Sequence, residues 1–327
     1  MLWTTRSGKH HGLSIGACRF GLLVCLCDEE PVDVWYRLVD VEVRLLDAAT
    51  GQVLWARKDC GLLGMRDNVA LVRSGDRLLA LALESGAPLW EMPFSPDQTL
   101  DVGRDLYLRP DPSLETRVHP LTRLAWQDSR RPPGLPRPVE VPEGRLAEVR
   151  EVDGLLAVRV WWPEPGVHGR SVLCHQGRRV WEQADPEHVS RDLLVDRHGL
   201  VVRTAEELQA LDREGCLLWS APGGRRCFVS PRWIACEGAE LSVVGRMNGR
   251  RRELPGLTPV WDVAVAGDTL WVVRRKENRL VGLSADGTVL WEGPQPGRPD
   301  PYGYDRLIAY RGGLYGMGDD GTVARLV

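Results

Sequence analysis

One short pattern, Gly-x-x-x-Trp, recurs along this chain and limits what the chain can fold into. The copies are Gly51–Trp55, Gly86–Trp90, Gly177–Trp181, Gly215–Trp219 and Gly287–Trp291, with Thr122–Trp126 as a variant. Successive tryptophans of the pattern lie 35, 36, 55, 38 and 72 residues apart, and the last interval equals two units of 36. A fixed period of roughly 40 residues is typical of a repeat architecture in which each unit packs on its neighbours.

Most copies follow a run in which apolar residues recur at every second position, as in Leu79–Leu83 before Gly86. A period of two indicates a half-buried β-strand. Glycine suits the tight turn that follows, because it tolerates a positive φ. Each unit therefore predicts a hairpin whose second strand carries the tryptophan.

A second landmark, a turn residue directly before an apolar run, gives an independent count of the units. It occurs at Gly21, Asp67, Asp105, Gly154, Gly199, Arg232, Asp268 and Gly313. Eight units in 327 residues average about 41 residues each, the length of a four-stranded propeller blade. The sequence predicts an all-β, eight-bladed β-propeller of antiparallel blades, and seven blades are the alternative.

The two ends of the chain complete the predicted ring. The last unit supplies three strands but lacks the strand with the tryptophan, and residues 1–4, with Trp3, resemble that strand. An N-terminal strand that pairs with the C-terminal unit would close the ring and leave no unpaired sheet edge between blades. In the competing register, residues 321–325 form the outer strand instead. We expect one propeller domain over 1–327, with a Pro-rich loop insertion at about 127–145.

The motif resembles the strand-Asp-x-x-Thr-Gly-x-x-x-Trp unit of the pyrroloquinoline-quinone (PQQ)-like repeat propellers, and Asp47–Trp55 matches it most plainly. The resemblance implies structural tryptophans that pack between blades: Trp3, Trp55, Trp90, Trp126, Trp181, Trp219 and Trp291. The family includes quinone-dependent dehydrogenases, which use a pair of adjacent cysteines, and non-catalytic interaction propellers. This chain has no adjacent cysteines, so the resemblance implies the non-catalytic branch and no cofactor.

Composition narrows the possible functions further. A net charge of −3 gives no general attraction to nucleic acid, and no apolar run approaches the roughly 20 residues of a membrane span. Residues 1–7 do not resemble a secretory signal, which predicts a cytoplasmic protein. The eight cysteines form no C-x-x-C pair, and no catalytic or phosphate-binding motif occurs. We therefore assign no catalytic, cofactor-binding or metal-binding residue and expect a protein that is not an enzyme.

Two segments are the candidates for binding a protein partner. Trp161, Trp162 and His168 lie at and beyond the end of a strand, and Arg131 and Arg137 lie in the Pro-rich insertion. Exposed tryptophan and arginine are the residue types that dominate protein interfaces, so we expect a scaffold that binds partners through loops at one rim.

The sequence also leaves other interpretations open. Trp161 and Trp162 would be structural if one lay in the core and the other in a blade seam, and the insertion would then be a passive loop. The resemblance suggests a bacterial system with an ATPase or a von Willebrand A-type partner. The alternative function is an enzyme or a carbohydrate- or small-ligand-binding propeller that uses the mouth of the central channel.

Overall fold

In the computed structural model, eight four-stranded antiparallel sheets form an eight-bladed β-propeller, without helices in the part of the chain that is described. The structure describes residues 3–5, 11–27, 41–95, 98–110, 121–141, 145–161, 169–175, 178–185, 193–196, 198–203, 207–224, 226–229, 233–258, 260–266, 269–274, 279–284, 287–294, 306–318 and 322–326. No helix in these ranges is long and apolar enough to cross a membrane.

The blades repeat one strand order. The first strands are β2 (His11–Cys18), β6 (Gly61–Arg66), β10 (Gln98–Val102), β14 (Arg145–Val152), β18 (Leu193–Asp196), β22 (Arg226–Val229), β26 (Val260–Ala266) and β30 (Arg306–Tyr310). The second are β3 (Gly21–Cys27), β7 (Val69–Ser74), β11 (Leu106–Pro110), β15 (Leu155–Trp161), β19 (Gly199–Arg203), β23 (Trp233–Glu237), β27 (Thr269–Arg274) and β31 (Gly313–Met317). The third are β4 (Val41–Leu46), β8 (Arg77–Ala82), β12 (Leu121–Leu124), β16 (Gly169–His175), β20 (Glu207–Leu211), β24 (Leu241–Gly245), β28 (Arg279–Leu283) and β32 (Val323–Arg325). The fourth, outermost strands are β5 (Val53–Lys58), β9 (Pro88–Pro93), β13 (Pro136–Val139), β17 (Arg178–Asp185), β21 (Leu217–Pro222), β25 (Arg251–Leu254), β29 (Val289–Pro294) and β1 (Trp3–Thr5).

The N-terminal strand closes the ring, as the first of the two registers predicts. β1 pairs with β32 in the eighth blade, and Trp3 lies opposite Arg325. The competing register, in which residues 321–325 form the outer strand, is wrong because Val323–Arg325 supply the third strand of that blade. Trp3–Thr5 and Val323–Arg325 thereby belong to one sheet.

Strand direction alternates within a blade and gives the propeller two different faces. The turns from first to second strand and from third to fourth strand lie on one face, which we call the turn face. Contacts between neighbouring blades confirm the alignment: Arg66, at the end of β6, donates to the carbonyls of Arg104 and Trp126. The second-to-third connections and the links between blades lie on the opposite face.

Several tryptophans of the repeated slot reach the next blade through their indole N–H. Trp55 donates to the carbonyl of Leu83 at 2.8 Å, and Trp219 donates to that of Arg246 at 2.9 Å. Each acceptor follows the third strand of the next blade. The turn that follows this third strand also brings a glycine against the indole ring. A Cβ added to Gly86 would lie 2.8 Å from Trp55, and one added to Gly249 would lie 2.9 Å from Trp219. The glycine of one motif thus packs on the tryptophan of the preceding motif.

A β-bulge places the tryptophan in this position. In the first blade Trp55 pairs with Leu45 and Val53 pairs with Leu46, so Leu54 is the extra residue. The outer strands β9, β17, β21 and β29 carry the same register shift directly before their tryptophan. A bulge re-aims the next side chain and increases local twist, and it also protects an outer strand from pairing with another edge.

The remaining tryptophans of the slot differ in their surroundings. Trp181 has its Cβ against the turn glycine of the fifth blade, Gly215. Trp291 is 39% exposed and contacts Trp271 with ring centroids 5.9 Å apart. In the sixth blade, which lacks the tryptophan, Leu254 and Arg252 pack against Gly287 of the seventh blade. The side chain of Trp3 lies outside the described residues.

The eight cysteines are all thiols, and their exposure differs widely. Cys60 is buried and its Sγ donates to the carbonyl of Arg57 at 3.4 Å, whereas Cys216 is exposed. Burial, together with the nearby Cys25, raises the pKa of Cys60 to about 12. A thiol with that pKa is on the order of one part in 10,000 thiolate at pH 8.

Alkylation with iodoacetamide should therefore separate these two cysteines. At pH 8 we expect Cys216 to be alkylated at least about 100-fold faster than Cys60 in the folded protein, because only the thiolate reacts. Peptide mass spectrometry over a time course measures both rates, and a sample unfolded in urea provides the control in which the rates converge. Equal rates in the folded protein would contradict the burial of Cys60.

Candidate protein-interaction surface

The segment between β12 and β13 forms an ordered loop on the turn face of the third blade. Trp126, directly after β12, is 1% exposed and anchors the loop in the seam between the second and third blades. Its ring meets Trp90 edge to face, with centroids 6.0 Å apart and an interplanar angle of 86°. Edge-to-face aromatic pairs contribute about 0.5–1.5 kcal/mol beyond the burial of their surface.

Hydrogen bonds hold the loop backbone at several points. Trp90 donates its indole N–H to the carbonyl of Ser129 at 3.0 Å, and Trp126 donates to that of Arg131 at 3.2 Å. The N–H of Gly134 donates to the carbonyl of Ala125 at 2.8 Å, which closes the base of the loop. Two of the repeated tryptophans therefore fix this loop as well as the seam.

Charged groups beneath Trp126 complete the support. The buried carboxylate of Asp105 accepts the backbone N–H of Trp126 at 2.8 Å and the Nε–H of Arg123 at 2.5 Å. Arg66 donates to the carbonyl of Trp126, and its guanidinium carbon lies 5.0 Å from the centroid of the indole ring. A charge-assisted hydrogen bond to a buried group is stronger than a neutral one, so the anchor is rigid.

The supported loop exposes an apolar side chain and two cations. Leu135 is 85% exposed, more than any other exposed large hydrophobic residue among those described. The side chain of Arg131 is 82% exposed, and its closest carboxylate is Asp128 at 3.5 Å; Arg137 is exposed on β13. Ion pairs with such exposure contribute little. The loop therefore presents Leu135 between two arginines whose charges remain accessible.

The structure differs from the expected loop insertion at 127–145. Pro136–Val139 form β13, the outermost strand of this blade, and Arg145 begins β14. An edge strand accepts Pro136 and Pro138 because a proline whose backbone nitrogen points away from the neighbouring strand removes no hydrogen bond of the sheet. The missing donors also prevent another strand from adding to this edge.

The expectation that both candidate segments share one rim is wrong. β15 ends at Trp161 on the opposite face, because a second strand runs away from the turn face, whereas the loop with Arg131 lies on the turn face. Trp162 and His168 lie outside the described residues, as does the side chain of Trp161.

Carboxylates of the first strands are engaged in structural contacts. Asp101 on β10 accepts the Nε–H of Arg109 at 2.8 Å, and burial raises the pKa of Asp101 against the opposing effect of that arginine. Asp262 on β26 accepts the backbone N–H of Leu307 of the next blade at 2.6 Å. No group of three or more metal-ligating side chains occurs within the described ranges.

Sequence reasoning named Arg131 and Arg137 but missed Leu135 and the role of Trp90. The signal for Leu135 was present, since a leucine flanked by Gly134 and Pro136 cannot continue an alternating strand. The hydrogen bond from Trp90 to Ser129 had no local signal, because 39 residues separate donor and acceptor.

Comparison with known proteins supports the fold. No protein-family model matches the chain, and no curated protein matches it. The crystal structure of BamB from Moraxella catarrhalis is similar, with a TM-score of 0.61 and 14% identity over 99% of this chain and 98% of that one. The structure of Chaetomium thermophilum Sqt1, bound to the N-terminus of ribosomal protein L10, has a TM-score of 0.65 and 12% identity over the same shares.

A third structure, of a eukaryotic initiation factor, has a TM-score of 0.54 and 10% identity over 86% of this chain and 78% of that one. These TM-scores show a shared fold, and at identities this low they show the fold alone. The chain is an eight-bladed propeller.

Proposed function

We propose that this chain is a non-enzymatic protein-interaction propeller, of the non-catalytic PQQ-like type, that binds a protein partner through the loop of its third blade on the turn face. The observation that carries the proposal is Leu135, 85% exposed on a loop that two buried tryptophans hold in place. A loop that is ordered before binding loses little conformational entropy when a partner docks, so more of the contact energy appears as affinity.

The side chains around Leu135 favour a particular partner chemistry. Arg131 and Arg137 are exposed cations, and within the described ranges neither pairs with a buried carboxylate. A partner segment that combines an apolar side chain with carboxylates complements both features, since arginine pairs bidentately with carboxylate. Sqt1, a propeller of similar fold, is bound to the N-terminus of its protein partner, which supports a chain segment as the ligand here.

The prediction of a cytoplasmic protein and the suggested ATPase or von Willebrand A-type partner remain part of the proposal. Trp161, Trp162 and His168 remain proposed as a separate contact with a partner. The loop on the turn face is independent of them and is tested by itself.

Affinity capture with matched variants tests the proposal. We expect the purified chain to capture a stoichiometric partner from a lysate of its source, and Leu135→Asp to weaken that complex by at least about 30-fold, because loss of a central apolar contact costs about 2 kcal/mol or more. Arg131→Glu with Arg137→Glu should weaken it through charge repulsion. The partner is then purified, and calorimetry measures its binding constant for the natural chain and for each variant.

Met247→Asp is the control variant. Met247 is 68% exposed on the corresponding turn of the sixth blade, on the same face, so the substitution adds the same charge at a similar site. A partner that is lost equally with Met247→Asp, or retained with Leu135→Asp, would refute the loop as the binding site.

A further inference from the structure

Two cysteines of the sixth blade face each other across neighbouring strands. Cys227 on β22 is directly opposite Cys236 on β23 in the antiparallel register, and their Sγ atoms lie 3.4 Å apart. Directly opposite residues in such a ladder have Cα atoms about 4.5–5.5 Å apart, which falls within the range that a disulfide spans. The other six cysteines lie opposite residues of other types in the described ladders or outside the ladders.

We propose that Cys227 and Cys236 are a redox-sensitive pair that forms a cross-strand disulfide when the protein meets a low-molecular-weight disulfide such as oxidised glutathione. The Sγ atoms need to approach by about 1.4 Å to reach the length of a disulfide bond, a change that side-chain rotation supplies. The bond would tie the first and second strands of the sixth blade together.

The reaction proceeds in two exchange steps. Cys227 is half buried and Cys236 is 1% exposed, so the Cys227 thiolate attacks the small disulfide first. One glutathione leaves as thiolate and the other remains on Cys227. Cys236 then loses its proton to solvent and attacks the Cys227 sulfur, which expels the second glutathione. One oxidised glutathione is reduced to two thiols while two cysteine thiols become one disulfide.

The second step requires the buried Cys236 thiol to lose its proton. In the reduced pair, the hydrogen bond with Cys227 and burial raise the pKa of Cys236, while the positive charges of Arg251 and Arg203 oppose the shift. Once Cys227 carries glutathione, that hydrogen bond is lost and burial is the remaining cause. A raised pKa leaves little thiolate at neutral pH, so closure of the disulfide should accelerate as the pH rises.

The place of this pair in the ring gives the disulfide a structural effect. The sixth blade has Glu253 where the repeated tryptophan would stand, so it lacks the indole that secures other seams. A disulfide across a short loop restricts the unfolded chain. We expect oxidation to raise the midpoint temperature of unfolding by about 5 °C.

Trypsin makes the disulfide directly visible. Cleavage after Arg226, Arg232 and Arg246 places Cys227 on peptide 227–232 and Cys236 on peptide 233–246. The full-length protein is incubated with oxidised glutathione at pH 8, acidified, unfolded in urea so that N-ethylmaleimide blocks every remaining thiol, and digested without reductant. We expect the two peptides to be recovered as one linked species that reductant separates.

Two controls make each result decisive. In Cys236→Ser, Cys227 should retain its glutathione because no second thiol displaces it. Cys216 is exposed and provides the internal control that the oxidant has reacted. If Cys216 carries glutathione while Cys227 keeps glutathione in the unsubstituted protein, or while Cys227 and Cys236 both carry maleimide, the proposal is overturned.

Discussion

Replacement of Trp126 by alanine is expected to lower the free energy of unfolding by about 3–5 kcal/mol, the range for a fully buried tryptophan. The ring is 1% exposed, meets Trp90 edge to face and lies beneath the guanidinium of Arg66. Alanine would leave a cavity in the seam between the second and third blades. Urea unfolding, followed by far-UV circular dichroism, measures the loss as a shift in midpoint.

A second variant separates the ring from its hydrogen bond. Trp126→Phe keeps an aromatic ring but loses the indole N–H that binds the carbonyl of Arg131, and we expect a cost of about 1–2 kcal/mol. The loop backbone near Arg131 should then show faster amide hydrogen exchange, while the strands remain protected. A cost below about 1 kcal/mol for Trp126→Ala would contradict the position of this ring in the core.

Gly86→Ala is expected to lower the free energy of unfolding by about 3 kcal/mol, a large effect for a single methyl group. Gly86 has a φ of +68°, where an L-residue is strained by about 1–2 kcal/mol. The added Cβ would also lie 2.8 Å from the ring of Trp55, and such overpacking adds about 1–3 kcal/mol.

Gly75→Ala is the matched control for this change. Gly75 lies in the same blade with a φ of +59°, and a Cβ there would have no heavy atom within 4 Å. Only the strain of the positive φ applies, so we expect Gly75→Ala to lower the free energy of unfolding by about 1 kcal/mol. The difference between the two variants, from urea unfolding under identical conditions, isolates the contact with Trp55. Equal costs would show that glycine recurs at this turn of the motif for its φ alone.

The repeated fold was readable from the sequence because its determinants are local. Alternating apolar residues, a turn glycine and a tryptophan four residues later specify each hairpin. The eight turn landmarks each lie shortly before a second strand or at its first residue, from β3 to β31. Ring closure by Trp3 and its neighbours was predictable for the same reason, since the last unit lacked one strand that the first residues resemble.

What the sequence did not reveal depends on contacts between distant residues. The bulge at Leu54 could not be predicted from the residues around it, because a strand with one extra residue has the same composition as a regular strand. The prolines of 127–145 suggested a loop, yet an edge strand accommodates Pro136 and Pro138. Trp161 and Arg131 lie on opposite faces because of the direction of their strands, which the local sequence around each residue does not encode.

The energetic coupling between Trp55 and Gly86 tests most directly whether each motif packs against the next across a blade seam. A double-mutant cycle compares Gly86→Ala in the natural chain with Gly86→Ala in a Trp55→Ala background. Because alanine at 55 removes the ring that the new methyl group meets, we expect the cost of Gly86→Ala to fall from about 3 to about 1 kcal/mol. An unchanged cost in the two backgrounds would contradict the seam contact and, with it, the explanation of the repeat.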